Sequence, residues 1–268
     1  DELAAAPKLR IVHGYGSDLR NIDVAACAAR AIAVKPFHRR LNIAVAEHAF
    51  ALMLAVARKL GHLNKRLTMA SLEDAGFHPK MYDRRHSANA NWARVPGLKT
   101  LWGSTLGAIG LGSIGREVAK RANAFGMEVL YYQRSRLDEG IEQECGARYV
   151  TLHELLEQSD FISLHLPMNA STEGILNADC FAHMKQGAIL INISRAHLID
   201  RDALMDAMNS GRLGGLGLDV HYEEPSDPDE PLLGFPNAVL TPHIAPADRH
   251  RVAEDLEELV ASLAAAMG

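Results

Sequence analysis

Apolar and polar positions along this chain follow two rhythms: short apolar runs rich in β-formers, and longer stretches with helical spacing. The pattern is plainest from Ser104 onward. Leu106, Ala108 and Ile109 predict a strand, residues 116–125 are helix formers closed by Gly126, and residues 129–132 predict a second strand. Further on, residues 152–158, 177–184 and 201–210 read as helices, the last followed by Gly211, and residues 161–166, 188–193 and 216–220 read as strands. Residues 248–265 form a final amphipathic helix, expected to pack back on the first part of the chain. Such alternation predicts an α/β fold built on a doubly wound parallel sheet with right-handed crossovers.

The first hundred residues are less regular. Residues 1–6 look like the end of a helix that Pro7 stops, residues 9–13 and 31–34 read as short strands, and residues 22–29 as a helix between them. Pro36 is expected to break the second strand. Two short strands make no stable sheet alone, and the sequence starts without Met. Preceding residues of this first domain are therefore expected to be missing. Asn42 is placed to cap a long helix over residues 43–60, with Gly61 as its stop. Its apolar residues lie on nearly every side, which predicts a position between two domains. Residues 62–100, with Trp92 and Pro96 among them, look polar and irregular.

Composition adds limits rather than direction. At 268 residues, 48% hydrophobic and 23% charged, the chain can bury a substantial core. A net charge of −5 without charge blocks points away from nucleic acid and anionic membrane surfaces as partners. The longest apolar run, residues 43–56, contains Glu47 and His48 and is too short for a bilayer. No secretory leader pattern opens the sequence. Cys27, Cys145 and Cys180 are scattered, which reads as three small core residues in a reducing, cytoplasmic setting. His153, His183, His197, His221 and His250 show no metal-ligand spacing and are expected at the surface or in packing, so no metal is expected.

Between the first two strong strands lies Gly110-Leu111-Gly112-Ser113-Ile114-Gly115, a G-x-G-x-x-G. Gly110 permits a tight turn, Gly112 leaves room for a pyrophosphate against backbone, and Gly115 lets the new helix pack close to the strand. The unpaired N–H groups opening that helix suit an anion. Three glycines alone often mark only a turn; the flanking strands and helix make this a dinucleotide-binding unit.

In open α/β sheets ligands sit beyond the carboxyl ends of the strands. The polar residues there are His165, Asn192 to Arg195, Asp219, Glu223-Glu224-Pro225 and Thr241-Pro242-His243. With GLGSIG, the segments SLHLPMNASTEGIL, MKQGAILINISRAHLID, LGLDVHYEEP and TPHIA resemble, in order, those of the D-isomer-specific 2-hydroxyacid dehydrogenases, over residues 7 to about 245. The resemblance implies a Rossmann nucleotide domain (residues 74–243) and an incomplete flavodoxin-like substrate domain (residues 1–73 with 244–268), with the active site in the cleft between them. By position, it implies Arg195 as the substrate-binding arginine, His243 as the acid/base and Glu224 as its carboxylate partner. Asp219 would meet the nicotinamide carboxamide, and Pro167, Thr172 and Ile193 would line the cofactor beside Ser113 and Ile114. Tyr15 and Gly16 fall in the loop that contacts substrate in the family, here longer than usual. His165 is expected to be structural or to line the cofactor.

The residue chemistry agrees. A guanidinium fork clamps a carboxylate in two hydrogen bonds. Reducing a ketone needs a proton delivered as hydride arrives, and histidine titrates in a useful range. A carboxylate on its other nitrogen fixes tautomer and orientation and favours the protonated form. Glu223 and Glu224 compete for that role, and the place before Pro225 favours Glu224.

At the end of the second strand, where NAD-users commonly carry an acid, this chain has Gln133, followed by Arg134, Ser135 and Arg136. Loss of the acid and gain of two guanidinium groups favour NADP(H), with NAD possible. The expected enzyme reduces a small 2-oxo acid such as glyoxylate or hydroxypyruvate and works as a homodimer. Alternatives are a nucleotide-sensing protein like the family's corepressor branch and a phosphite-type dehydrogenase; formate oxidation fits less, since that branch carries an amide at the place of Glu224.

Overall fold

The computed structural model describes residues 2–15, 19, 22–37, 39–81 and 90–267. A short helix, α1 (Glu2–Ala5), precedes a small unit of β1 (Ile11–Tyr15), α2 (Val24–Ala29) and β2 (Ala33–Phe37), whose strands pair in parallel. The long α3 (Leu41–Ala57) and the short α4 (Leu60–Leu63) and α5 (Met69–Glu73) follow. The main sheet then builds from β3 (Thr105–Ile109), α6 (Ser113–Ala124), β4 (Glu128–Tyr132), α7 (Glu139–Cys145), β5 (Ala147–Tyr149), α8 (Leu152–Gln158) and β6 (Phe161–Leu164). It continues through α9 (Ala178–His183), β7 (Ala188–Asn192), α10 (Arg201–Asn209), β8 (Leu213–Leu218) and β9 (Ala238–Leu240), and α11 (Arg249–Met267) ends it.

The seven strands are all parallel in the order β5-β4-β3-β6-β7-β8-β9. Successive residues of a strand serve opposite faces. On β3, Leu106 and Ala108 join the core under α3 and α6, whereas Ile109 joins the core under α8, α9 and α10. Phe161 and Ile162 of β6 divide in the same way. Burial on both faces explains why these strands read as continuous apolar runs. The sheet is the predicted doubly wound one.

α3 lies against α6 and across β7, β8 and β9, so this helix covers the large sheet. That packing accounts for much of the apolar surface of the helix. The approach is close because β8 offers glycine. A Cβ on Gly215 would stand 2.2 Å from Cγ1 of Val56, and one on Gly217 3.0 Å from Cβ of Leu52.

Both predicted ends of α3 are corrected. Asn42 sits inside the helix and is buried. The cap comes from α11: the Asp255 carboxylate accepts the N–H of Arg40 at 2.9 Å and that of Leu41 at 3.5 Å, and Glu258 pairs with the Arg40 guanidinium at 2.6 Å. At the other end the helix stops at Ala57, before Gly61, because Lys59 takes the left-handed conformation and the N–H of Lys99 closes on the Ala57 carbonyl at 3.0 Å. Pro36 does not break β2, which is an edge strand where a missing N–H is tolerated. The stretch expected to be irregular holds α4 and α5 and a small core of Leu72, Phe77 and Val95. Cys27, Cys145 and Cys180 are free and buried, as expected.

The tight seat of α3 has a measurable consequence. Gly215→Ala should lower the free energy of unfolding in urea by about 1–3 kcal/mol, the usual cost of overpacking. In a double-mutant cycle with Val56→Ala the two losses should be less than additive, because the smaller side chain vacates the colliding position. A Gly215→Ala chain as stable as the wild type would show that α3 does not press on β8.

Candidate active site

Because every strand of the large sheet is parallel, the residues that follow them gather along one edge. The glycine turn follows β3. Gly110 has φ +97°, and a Cβ there would stand 2.8 Å from the carbonyl oxygen of His165. A Cβ on Gly115 would strike the carbonyl oxygen of Gly110 at 2.3 Å. Above Gly112 there is open space, with no atom within 4 Å of an added Cβ. Gly112 is also the residue that caps α6, and Ser113 and Ile114 open that helix. Two glycines forced by packing, one facing open space and a helix N-terminus behind them fit a dinucleotide pyrophosphate.

Gln133 is wired into this turn. Its Oε1 accepts the N–H of Leu111 at 3.2 Å and its Nε2 donates to the Ser135 carbonyl at 2.8 Å. Arg134 is exposed and, among the described residues, its side chain has no partner. Arg136 departs from the expected arrangement. Its guanidinium grips Glu142 through two bonds, 2.9 and 2.8 Å, while the Tyr131 hydroxyl donates to the same carboxylate at 2.6 Å. Arg136 and Tyr131 together hold the Glu142 carboxyl down at about 2. Burial, with the bond to Glu142, pushes the Tyr131 phenol up to about 12.

His165 ends β6. Both its ring nitrogens are buried with no partner among the described residues, and burial pushes its pKa down to about 3. The ring is neutral and borders the glycine turn, where a Cβ on Gly115 would stand 3.5 Å from its Cβ. Pro167 lies exposed and Thr172 half-buried in the next loop, and the Thr172 hydroxyl donates within it, to the Pro167 carbonyl at 2.7 Å. Ile193 is 7% exposed and belongs to the core, so it offers little lining surface.

Arg195 stands past the end of β7. The fully buried Asn192 shapes its loop, donating to the Arg195 carbonyl at 2.8 Å and accepting the Ser194 N–H at 2.9 Å. The Arg195 side chain is exposed, and its guanidinium donates to the neighbouring Ser194 carbonyl, 2.6 Å away. The structure puts it on the same edge as Glu224 and His243 without a direct contact to either.

Glu224 and His243 do meet. The His243 Nδ1 lies 2.7 Å from Glu224 Oε2, with both side chains a little over one-third exposed. Glu224 Oε1 accepts the N–H of His221 at 3.0 Å, which orients the carboxylate. His243, through the hydrogen bond, holds the Glu224 carboxyl below its usual range. With Nδ1 engaged, Nε2 is the nitrogen left for a substrate. A cavity of about 450 Å³ adjoins the pair, lined also by His221, Leu233, Thr241 and Pro242.

Asp219, which the resemblance places at the nicotinamide carboxamide, is turned into the protein interior and bonds its own chain. Asp219 is 0% exposed. Its carboxylate accepts the Thr241 hydroxyl at 2.6 Å and the N–H groups of Ile244 and Ala245 at 2.9 and 2.7 Å. It thus clamps the chain on both sides of His243, which itself adopts φ +54°. His48 of α3 completes the clamp: its Nε2 is 2.9 Å from the Thr241 hydroxyl and 3.3 Å from Asp219. The hydroxyl spends its one proton on Asp219, so the imidazole is the donor to it. Neither His48 nor Thr241 has a local signal that marks it for this role. His221, expected at the surface or in packing, also belongs here, since its Nε2 bonds the Thr241 carbonyl at 2.8 Å.

Two further expectations need placing. Gly16 and the Tyr15 side chain lie outside the described residues. Two of the histidines expected at the surface or in packing, His153 and His183, are brought together around Asp179 by the fold. Spacing along the sequence could not show this, because two helices contribute.

Comparison with known proteins agrees with the site. Residues 50–245 match the family model described as the D-isomer specific 2-hydroxyacid dehydrogenase, NAD binding domain. A glyoxylate reductase of Thermococcus litoralis is 41% identical over 97% of this chain and 74% of its own length. One from Korarchaeum cryptofilum is 40% identical over 96% of the chain and 72% of its own. The crystal structure of a glyoxylate reductase from Paecilomyes thermophila superposes with a TM-score of 0.70 at 34% identity, over 99% of this chain and 75% of that one. The glycine turn, the arginine after β7 and the Glu224–His243 pair thus stand in a chain that belongs to the D-isomer-specific 2-hydroxyacid dehydrogenases.

Proposed function

We propose that this chain reduces a small 2-oxo acid, glyoxylate or hydroxypyruvate, with NADPH preferred over NADH. The observation that carries the reading is the Glu224–His243 pair at 2.7 Å, set on the strand-end edge that also bears Arg195 and the glycine turn. The exposed Arg195 guanidinium binds the substrate carboxylate in a forked pair, which aims the 2-oxo group at His243. His243, charged and held by Glu224, gives its Nε2 proton to the carbonyl oxygen as the bond order falls. The nicotinamide supplies the hydride. In the oxidative direction the same ring takes the hydroxyl proton.

Preference for NADPH is supported by the absence of a carboxylate at Gln133 and by the unpartnered Arg134. Arg136, tied to Glu142, is the weaker candidate for the phosphate. A small substrate suits residues that close around a carboxylate and one carbonyl. Three free cysteines support a cytoplasmic setting. Exposed Leu67, Met81 and Trp102 support a homodimer. Among the described residues no helix is long and apolar enough to cross a membrane.

The dyad is tested through pH. Glu224 titrates below its usual range because His243 is bonded to it, so the carboxylate half of the pair is charged above the ordinary carboxylate range and is protonated only as pH falls through the lowered value. In His243→Ala the Glu224 signal in carbon NMR should move up toward the ordinary range, and kcat should drop on the order of 10²–10⁴. In Glu224→Gln the ring loses the carboxylate that fixes its tautomer and orientation, and kcat of reduction should fall by about 10- to 100-fold. An unchanged kcat would reject the pairing.

Cofactor choice is tested by kcat/KM for NADPH and NADH. Arg134→Ala should cut the NADPH preference by about 10- to 100-fold, the worth of a charged hydrogen bond, with a smaller effect in Arg136→Ala. A wild-type preference for NADH would overturn this part of the proposal.

The electrophilic role falls to Arg195 and His243, so glyoxylate reduction should survive prolonged EDTA treatment. Activity lost on chelation and restored by Zn²⁺ would contradict that assignment.

A further inference from the structure

We propose that His153, Asp179 and His183 form a binding site for a divalent transition-metal ion of the Zn²⁺ class, bridging α8 and α9. Asp179 and His183 are four residues apart on α9 and therefore share one face of that helix. α8 packs beside α9 and brings His153 to the same place. One donor atom from each of the three side chains lies within 4.8 Å of the others.

One donor pair is already at ligand spacing, and the two rings must turn out of their stack about their side-chain bonds to share an ion. Around a tetrahedral ion with bonds of about 2.0–2.1 Å, neighbouring donor atoms sit roughly 3.3 Å apart. His153 Nε2 already stands 3.2 Å from Asp179 Oδ2. His183 Nδ1 is 3.7 Å from Asp179 Oδ1 and 2.9 Å from the Asp179 carbonyl oxygen. A protonated Nδ1 on that carbonyl orients the ring and leaves Nε2 as the lone-pair donor, the usual support for a ligating histidine. The two imidazoles stack with centroids 4.2 Å apart and planes 6° from parallel.

The charges point the same way. Among the described residues no lysine or arginine pairs with Asp179; its partners are the two histidines. Protonating both stacked rings would set two like charges face to face. A dication instead takes a lone pair from each neutral ring and a charge from the carboxylate. Two imidazoles and one carboxylate suit Zn²⁺, Ni²⁺ or Cu²⁺ and not Mg²⁺, which prefers oxygen ligands. With side chains 55%, 64% and 32% exposed, the fourth position is open to water. None of the three residues belongs to the glycine turn, the arginine loop or the Glu224–His243 pair. The ion would act as a clip between two helices of the outer layer.

The test uses the whole chain, stripped with EDTA, dialysed and titrated calorimetrically with zinc chloride. One ion per chain is expected, and Asp179→Asn and His153→Gln, each made separately, should weaken binding at least tenfold while circular dichroism stays unchanged. At a hundredfold excess over Kd the melting midpoint should rise by roughly 5 °C in the wild type and not in either variant. NiCl₂ should compete and MgCl₂ should not. Glyoxylate reduction should be equal in stripped and loaded protein, which separates this site from the catalytic edge. Absence of saturable Zn²⁺ binding, or one-per-chain binding that persists in both variants, would overturn the proposal and leave the cluster a carboxylate–imidazole ion pair.

Discussion

A single carboxylate governs the working edge of this molecule. Asp219 carries its charge into the interior, and an ion so placed costs several kcal/mol unless donors surround it. The donors it recruits are the Thr241 hydroxyl and the N–H groups of Ile244 and Ala245. Meeting that electrostatic demand forces residues 241–245 into one path, and the path throws His243 outward in the left-handed region, a conformation an isolated histidine rarely takes. The position of the acid/base group is thus set from below, by a residue that itself reaches no solvent.

α3 ties this arrangement to the sheet. It lies on glycines of β8, the strand that ends in Asp219, and it sends His48 into the Thr241–Asp219 contact. Packing and hydrogen bonding therefore share one element. A small lift of the helix would loosen a core contact at Val56 and a polar contact at His48 together. Gln133 plays a comparable part at the other end of the edge, where one amide spans the glycine turn and the loop after β4.

Much of this was legible in the sequence. Residues 152–158 appear as a helix with the boundaries read from the pattern, and the glycine turn, Arg195, Glu224 and His243 stand at strand ends as expected. Failures occurred where a distant residue supplied what local chemistry seemed to offer. Asn42 has the right chemistry for a cap, yet Asp255 does the capping. The three-residue strands β5 and β9 are too short to show a period. His48, Thr241 and His221 acquire their roles only through contacts made across the fold, as do His153 and His183.

The capping of α3 also orders events in time. The N–H groups at its amino end are met by a carboxylate 215 positions further along the chain. During synthesis from the amino terminus, that end of α3 stands open to water until α11 has left the ribosome, after the sheet it lies on has been made.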